Sequence, residues 1–553
     1  MASTPSDSLD AHEKAPETAP DTSGPATVRI DPGSAGATVP RRLFGTFVEH
    51  LGRSVYDGIH EPGHETATEQ GFRQDVLDLV RELGVTTVRY PGGNFVSGYR
   101  WEDGVGPAEV RPTRLDPAWH SLEPNTVGLH EFAAWAEQAD LELIEAVNLG
   151  TRGMQEAADL LEYANHTGGT ALSDERRSNG REEPFDIRLW CLGNEMDGPW
   201  QIGHSTAQEY GRLAAETARL MRMIDPDIEL VAAGSSAGDL PTFGHWEREV
   251  LTQTAGLVDH IALHFYAEEL DGDTASFLAA NLRLEEQIEQ VVQIIDEVAA
   301  KTGSPTPGIA VDEWNVWRMQ EWLTRQDEFV AGPWQHAPHL LEDTYTVTEG
   351  VVVGALLITL VRRSGRVSMA NLAQLVNVIA PIRTEPGGPA WRQSTFDPFR
   401  LTAAHARGQV LPVAVDSVEL GTPGGPVPDV DAVATLDEDG SVALFLVHRG
   451  LDTSREVRVE LPGPYAVRLA ETVAAPADGD RWTTNGPDAE RVRAIPLEWV
   501  SVSTDDARGV ERSGDDGSSD EGSTDESNVQ AGSTTVTLRL AAPSWACVVL
   551  DPA

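Results

Sequence analysis

Eight short apolar runs, each followed by a stretch with helical periodicity, constrain this chain more than any other feature. The runs cover 44–49, 85–90, 141–148, 187–193, 228–233, 260–266, 309–313 and 366–370. Apolar runs of this length read as strands buried on both faces, the signature of a parallel sheet. Amphipathic stretches lie between them at 73–83, 129–139, 155–165, 207–224, 245–254, 277–300 and 348–361, and an eighth at about 398–408 completes the cycle. Ser205 with Gln208, and Thr206 with Glu209, both fit a capping box at the start of the fourth helix. Eight such β/α repeats predict an α/β fold, a (β/α)8 TIM barrel, over residues 41–408.

The pattern changes after residue 408. Runs at 441–447, 454–461, 466–472, 533–540 and 546–550 alternate between apolar and polar residues and are bounded by Gly, Pro and Asp. They predict a C-terminal all-β jelly roll or β-sandwich over 409–553. A Gly/Ser/Asp/Glu-rich segment at 505–532 reads as a disordered acidic insertion, and residues 1–25 read as a disordered acidic tail. Residues 26–40 contain one isolated alternating run, 26–30.

Nearly every barrel-strand candidate ends in polar residues. The first ends in Phe47-Val48-Glu49-His50, the second in Arg89-Tyr90-Pro91-Gly92-Gly93-Asn94, and the fourth in Gly193-Asn194-Glu195. The sixth ends in His264-Phe265-Tyr266, the seventh in Asp312-Glu313-Trp314-Asn315, and the eighth leads into Asn371 to Asn377. In a TIM barrel these positions meet at one mouth. Two glutamates from different strands, Glu195 and Glu313, would then face each other across a pocket lined by hydrogen-bonding groups. Glycoside hydrolysis needs that pair: one carboxyl protonates the leaving oxygen, and the other attacks or activates water. Sugar hydroxyls also need matched partners, because an unmatched buried polar group costs about 1–3 kcal/mol. Trp101, Trp119, Trp314 and Trp317 are candidate platforms for the apolar faces of sugar rings.

Charge excludes some partners. The 553 residues include 88 acidic and 41 basic ones, a formal net charge of −47, and only Lys14 and Lys301 are lysine. No nucleic acid and no anionic membrane is expected as a partner, since phosphate contacts need clustered Lys and Arg. Acidity spread along the whole chain, with almost no lysine, points to adaptation to high salt. Cys191 and Cys547 lie too far apart in sequence to suggest a disulfide framework and read as packing residues. The N-terminal tail has no apolar h-region, and the longest apolar stretch, 351–361, is too short to span a bilayer. A cytoplasmic protein is expected. His60 and His64 lie in a Pro/Gly loop without a third ligand, and Gly92-Gly93 is not followed by Gly-Lys-Ser/Thr. No metal and no cofactor is therefore expected.

Five motifs carry a family resemblance: 47–52, 89–103 (RYPGGNFVSGYRWED), 190–201 (WCLGNEMDGPWQ), 312–317 (DEWNVW) and 371–381 (NLAQLVNVIAP). Together they resemble the α-L-arabinofuranosidases of glycoside hydrolase family 51, in the (β/α)8 clan with an Asn-Glu pair at the fourth strand. The resemblance implies a retaining, exo-acting enzyme on arabinose-containing oligosaccharides. It implies Glu195 as general acid/base and Glu313 as nucleophile. It also implies furanose-holding or supporting roles for Glu49, Arg89, Asn94, Trp119, Asn194, His264, Tyr266 and Gln374. Phe265 departs from the His-Tyr-Tyr run common in the family. Two more implications are an N-terminal strand, 26–30, that joins the jelly roll, and a homo-oligomer, often a hexamer. The alternatives are a related β-xylosidase or endoglucanase, or a carbohydrate-binding protein with an inert acid pair. On chemical grounds Glu313 must be ionised, so Arg89 is expected to hold its pKa down. Glu195 must start protonated, so it is expected close to Glu313 and shielded from water.

Overall fold

The computed structural model describes residues 24–497, 500–505 and 532–553. The expected tail and insertion lie outside the described residues apart from 24, 25, 505 and 532.

Eight parallel strands close into a barrel: Gly45–Phe47, Thr87–Tyr90, Glu142–Val147, Leu189–Leu192, Glu229–Ala232, His260–Ala267, Gly308–Val316 and Val367–Ala373. They are called here the first to eighth barrel strands. Each falls on one of the eight apolar runs. Inside the barrel, a plug of small and medium apolar side chains forms around Ile144, Ala146, Cys191, Val231, Ala262, Ala310 and Met369. This layer fills the lower barrel, so the polar strand ends form the floor of an open upper mouth.

The helices cover the outside. Leu129–Ala139 and Ala207–Ile224 have the bounds that the periodicity gives. Of the two possible capping boxes, the one that forms is Thr206 with Glu209: the Thr206 hydroxyl accepts from the Glu209 N–H, and the Glu209 carboxylate accepts from the Thr206 N–H. Two helices were not evident from periodicity, Ala171–Ser178 and Met319–Val330. Met319–Val330 buries no residue fully and so lacks a sharp apolar stripe. It follows the seventh strand and forms part of the rim of the mouth.

The second unit is all-β. One sheet has five strands in the order Val413–Asp416, Ala26–Ile30, Arg455–Pro462, Ser533–Leu540 and Val500–Asp505. The other has six: Gln409–Leu411, Val430–Leu436, Val442–His448, Ser544–Pro552, Tyr465–Ala474 and Ile495–Pro496. Inward residues of both, among them Val28, Val459, Val536, Val430, Leu444 and Val548, share one core. Strand Ala26–Ile30 comes from before the barrel and pairs parallel with Arg455–Pro462, which ties the chain's two ends into one sandwich.

Helix Val347–Arg362 joins the two units. It is buried from Val347 to Val361 and largely apolar, and its buried polar groups are paired, Glu349 with Arg318 and Thr359 with Asn281. It lies between the barrel and the outer face of the six-stranded sheet, and Trp545 of that sheet packs directly over Gly354. Cys191 and Cys547 are free and buried.

Candidate active site

The upper mouth holds a cavity of about 720 Å3, lined among others by Phe47, Glu49, Asn94, Trp119, Glu195, Trp200, His264, Phe265, Tyr266, Glu313, Trp317 and Gln374. Six barrel strands or the turns after them supply these residues.

Glu313 reaches the cavity because the seventh strand is irregular. Ala310 pairs with Ala262, and Glu313 pairs with His264, so three steps on one strand match two on the other. A bulge of this kind breaks the alternation of side chains. It brings Asp312 and Glu313, adjacent in sequence, to the same cluster. Glu195 arrives differently. The fourth strand ends at Leu192, and Gly193 (φ 85°) and Glu195 (φ 46°) both take left-handed backbone. Glutamate is rare in that region, and a side chain held there marks a position fixed by its surroundings.

Arg89 donates from Nη1 to Glu313 Oε1 at 2.9 Å and from Nη2 to Asn194 Oδ1 at 2.6 Å. Its Nε lies 3.3 Å from Asp312 Oδ2. The Tyr266 hydroxyl donates to Glu313 Oε2 at 2.9 Å. His264 sits among three carboxylates: Nδ1 is 2.9 Å from Glu195 Oε1 and 3.5 Å from Glu313 Oε2, and Nε2 is 3.3 Å from Asp312 Oδ1. One oxygen of Glu195, one of Glu313 and a ring nitrogen of His264 all lie within 4.8 Å of one another. Trp200 donates its indole N–H to Glu195 Oε2 at 2.7 Å. Glu49 also lines the cavity, beside Gly93 and close to Glu313. Its Oε1 accepts from the Phe95 backbone N–H at 2.8 Å and the Trp119 indole at 2.7 Å, and its Oε2 accepts from Gln374 at 3.3 Å.

Two family models match this chain: the α-L-arabinofuranosidase 1 domain over residues 79–283 and the α-L-arabinofuranosidase C-terminal domain over residues 312–510. The chain is similar to an intracellular exo-α-(1→5)-L-arabinofuranosidase of Streptomyces lividans, at 54% identity over 86% of this chain and 72% of that one. It is similar also to an exo-α-(1→6)-L-arabinofuranosidase of Bifidobacterium longum, at 52% identity over 85% of this chain and 91% of that one. Among solved structures, a family 51 α-L-arabinofuranosidase from Bifidobacterium longum superposes with a TM-score of 0.86 at 42% identity, covering 96% of this chain and all of that one. The chain belongs to the family 51 α-L-arabinofuranosidases. It is an exo-acting glycoside hydrolase of arabinofuranosides, and the binding-protein, β-xylosidase and endoglucanase alternatives fall away.

In this arabinofuranosidase most of the expected site residues meet at the cavity: Glu195, Glu313, Glu49, Asn94, Trp119, His264, Tyr266 and Gln374 line it. Arg89 does not reach the wall; it is 1% exposed and lies behind Glu313 and Asn194. Asn194 is likewise buried behind the wall. Its Oδ1 is held by Arg89, while its Nδ2 has no partner among the described residues. Of the four tryptophans offered as platforms, Trp119 and Trp317 line the cavity, and Trp317 packs edge-on against Tyr266 at 5.3 Å. Trp101 packs against Tyr163 instead, and Trp314 is fully buried. Phe265 lines the cavity beneath Arg283.

One electrostatic expectation is reversed. Burial pushes the Glu313 carboxyl up; His264 and Arg89 pull against it, Glu195 and Asp312 push with burial, and the net direction is up. Arg89 cannot overcome burial because its charge is shared between Glu313 and Asp312. The latter is brought below the ordinary range: burial opposes this, and Arg89 and His264 outweigh it. His264 is held well above its usual value, since the charges of Glu313, Asp312 and Glu195 outweigh the opposing effect of burial. Burial raises Glu49 to about 8, against the N–H donors of Phe95 and Trp119. Asp312 and Trp200 were not singled out from sequence. Strict alternation turns Asp312 away from Glu313, and Gly198-Pro199 marks a turn after Glu195 without showing that it lays the Trp200 indole on that carboxyl.

Proposed function

We propose that this enzyme releases terminal non-reducing α-L-arabinofuranosyl residues from arabinoxylan and arabinan oligosaccharides by double displacement with retention. The observation that carries this reading is the approach of Glu195 and Glu313, with an oxygen of each within 4.8 Å of the other. Retaining glycosidases hold their carboxyls roughly 5–5.5 Å apart, whereas inverting ones leave about 6.5–9.5 Å for a water.

In the first step Glu313 attacks the anomeric carbon as the bond to the leaving oxygen breaks, and Glu195 gives that oxygen its proton. The Tyr266 hydroxyl and Arg89 fix the two Glu313 oxygens for the attack. Once the ester forms, the Glu313 charge is gone, and Glu195 takes a proton from water as that water attacks the same carbon. Glu49, Asn94, Trp119 and Gln374 line the wall that would hold the furanose. Asn194, whose Oδ1 accepts from Arg89, would support the site from behind the wall by holding that guanidinium toward Glu313.

Aryl arabinofuranosides test this reading. Glu313→Ala should abolish turnover. Glu195→Ala should keep much of the first step with a good leaving group and lose about 10²–10⁴-fold with a poor one. NMR of the first-formed sugar should show the starting anomeric configuration. An inverted first product, or equal losses for both leaving groups in Glu195→Ala, would overturn it. The two named relatives differ in linkage, (1→5) and (1→6), so a pair of arabinobioses would assign preference here.

We propose also that the enzyme works in the cytoplasm as a homo-oligomer adapted to high salt. Relatives named intracellular support the location, and no helix among the described residues is long and apolar enough to cross a membrane. Sedimentation at molar salt tests the assembly; a mass of 59.7 kDa would show a monomer.

A further inference from the structure

One wall of the cavity supplies no group to the two-carboxylate chemistry. Helix Ala280–Thr302 places Arg283, Glu286, Gln287 and Gln290 along it. Residues three, four and seven apart share one helix face, and two turns of helix run about 10 Å. Gln287 is buried and fixes this face to the site. Its Nε2 donates to the His264 carbonyl at 3.3 Å, and its Cδ would lie 2.9 Å from a Cβ added at Gly238. His264 in turn holds Glu195 Oε1 at 2.9 Å. Arg283, Glu286 and Gln290 are exposed. The Arg283 guanidinium lies over the Phe265 ring, 5.6 Å from its centre, and among the described residues no hydrogen bond or ion pair holds it. Phe265 offers that cation a ring and no hydroxyl. In a chain with 88 acidic residues against 41 basic ones, a guanidinium at the cavity without a carboxylate partner is a set of free donors.

The furanose wall around Glu49 and Gly93 adjoins Glu313, and the helix wall adjoins Glu195 through His264. A glycosidic bond cleaved between the two carboxyls has its furanose on the first side and its leaving sugar on the second. We propose that the face of helix Ala280–Thr302 is the binding wall for the leaving sugar, with Arg283 as its main donor. Glu286 and Gln290 bring acceptors beside it, so the face matches hydroxyls, which both donate and accept. The ligand is a neutral oligosaccharide, because Asp239, Glu268 and Glu286 border the same cavity and repel a uronate. The inference rests on the acid/base reading of Glu195.

The readout is kcat/KM for two substrates that share the furanose, α-(1→5)-arabinobiose and phenyl α-L-arabinofuranoside. The phenyl leaving group carries no hydroxyl for the wall to hold. Arg283→Met keeps the stem over Phe265 and removes the donors. Its loss should be about 10–100-fold greater for arabinobiose than for the phenyl glycoside, the effect of hydrogen bonds from a charged donor. Arg283→Lys should recover part of that difference, and Gln290→Ala should move the ratio the same way. A folded Arg283→Met enzyme that lost equally on both substrates, or on neither, would overturn the proposal. The wild-type enzyme should cleave an arabinofuranoside of galactose faster than one of galacturonate; equal or faster cleavage of the uronate would overturn the neutral class. Glu195→Ala, assayed in parallel with good and poor leaving groups, separates the two readings. If its loss is the same for both, the acid/base assignment falls; if it depends on the leaving group while Arg283→Met leaves the substrate ratio fixed, only the role of the helix wall falls.

Discussion

At the scale of single residues, the site is a cluster of buried acids kept apart by a few cations. His264 and Arg89 lie between Glu195, Asp312 and Glu313, and each of their charges serves more than one carboxylate. Among the described residues Glu49 has no cation as a hydrogen-bond partner. It accepts only from neutral donors, and burial holds its proton up to about 8. An ordinary glutamate, as in the unfolded chain, ionises near 4.5. Between those values the unfolded chain has lost the proton while the folded chain keeps it. The native state therefore binds more protons, and Glu49 makes stability fall as pH rises through that window. Glu49→Gln removes this dependence. The stability of the variant relative to wild type, from denaturant unfolding, should rise from pH 5 to pH 8 by up to about 4 kcal/mol and level off beyond. A flat difference across that range would show that Glu49 is ionised. The sequence placed Glu49 at the polar end of the first barrel strand, but its burial away from any cation and the proton that burial holds on it were not legible there.

At the scale of elements, periodicity located all eight barrel strands and the helices that follow them, because burial on both faces and burial along one stripe leave different marks in a chain. It missed Met319–Val330, which buries nothing fully and so leaves no stripe, and it missed the bulge in the seventh strand, which is a matter of pairing with neighbours. Two substitutions separate local from tertiary effects. Thr206→Ala should cost about 1 kcal/mol through the lost cap and leave kcat unchanged, since Thr206 is exposed and does not line the cavity. Gly354→Ala improves intrinsic helix propensity by about 1 kcal/mol. It should still lower stability by about 1–3 kcal/mol, because the new methyl would overlap the fully buried Trp545. A more stable Gly354→Ala protein in urea titration would show that the helix and the sandwich can separate at little cost.

At the scale of the whole molecule, a strand from before the barrel joins the sandwich that follows it, and a buried, largely apolar helix joins that sandwich to the barrel. A net charge of −47 on this body is a source of self-repulsion. Molar salt shortens the screening length to about 3 Å and largely removes it. The melting temperature should therefore rise between dilute buffer and 2 M KCl; no rise would overturn the proposed salt adaptation. The sequence by itself determined the repeat, the change to an all-β region, the family motifs and the two glutamates. Each of these depends on which residues stand at which spacing, and spacing survives in one dimension. Tertiary structure alone decided that Asp312 joins Glu313 at the site, that Arg89 works from behind the wall, that Trp200 turns back onto Glu195, and that burial outweighs the cations around Glu313. Those outcomes depend on distances between strands and on how much water each group loses, and neither quantity exists until the barrel closes.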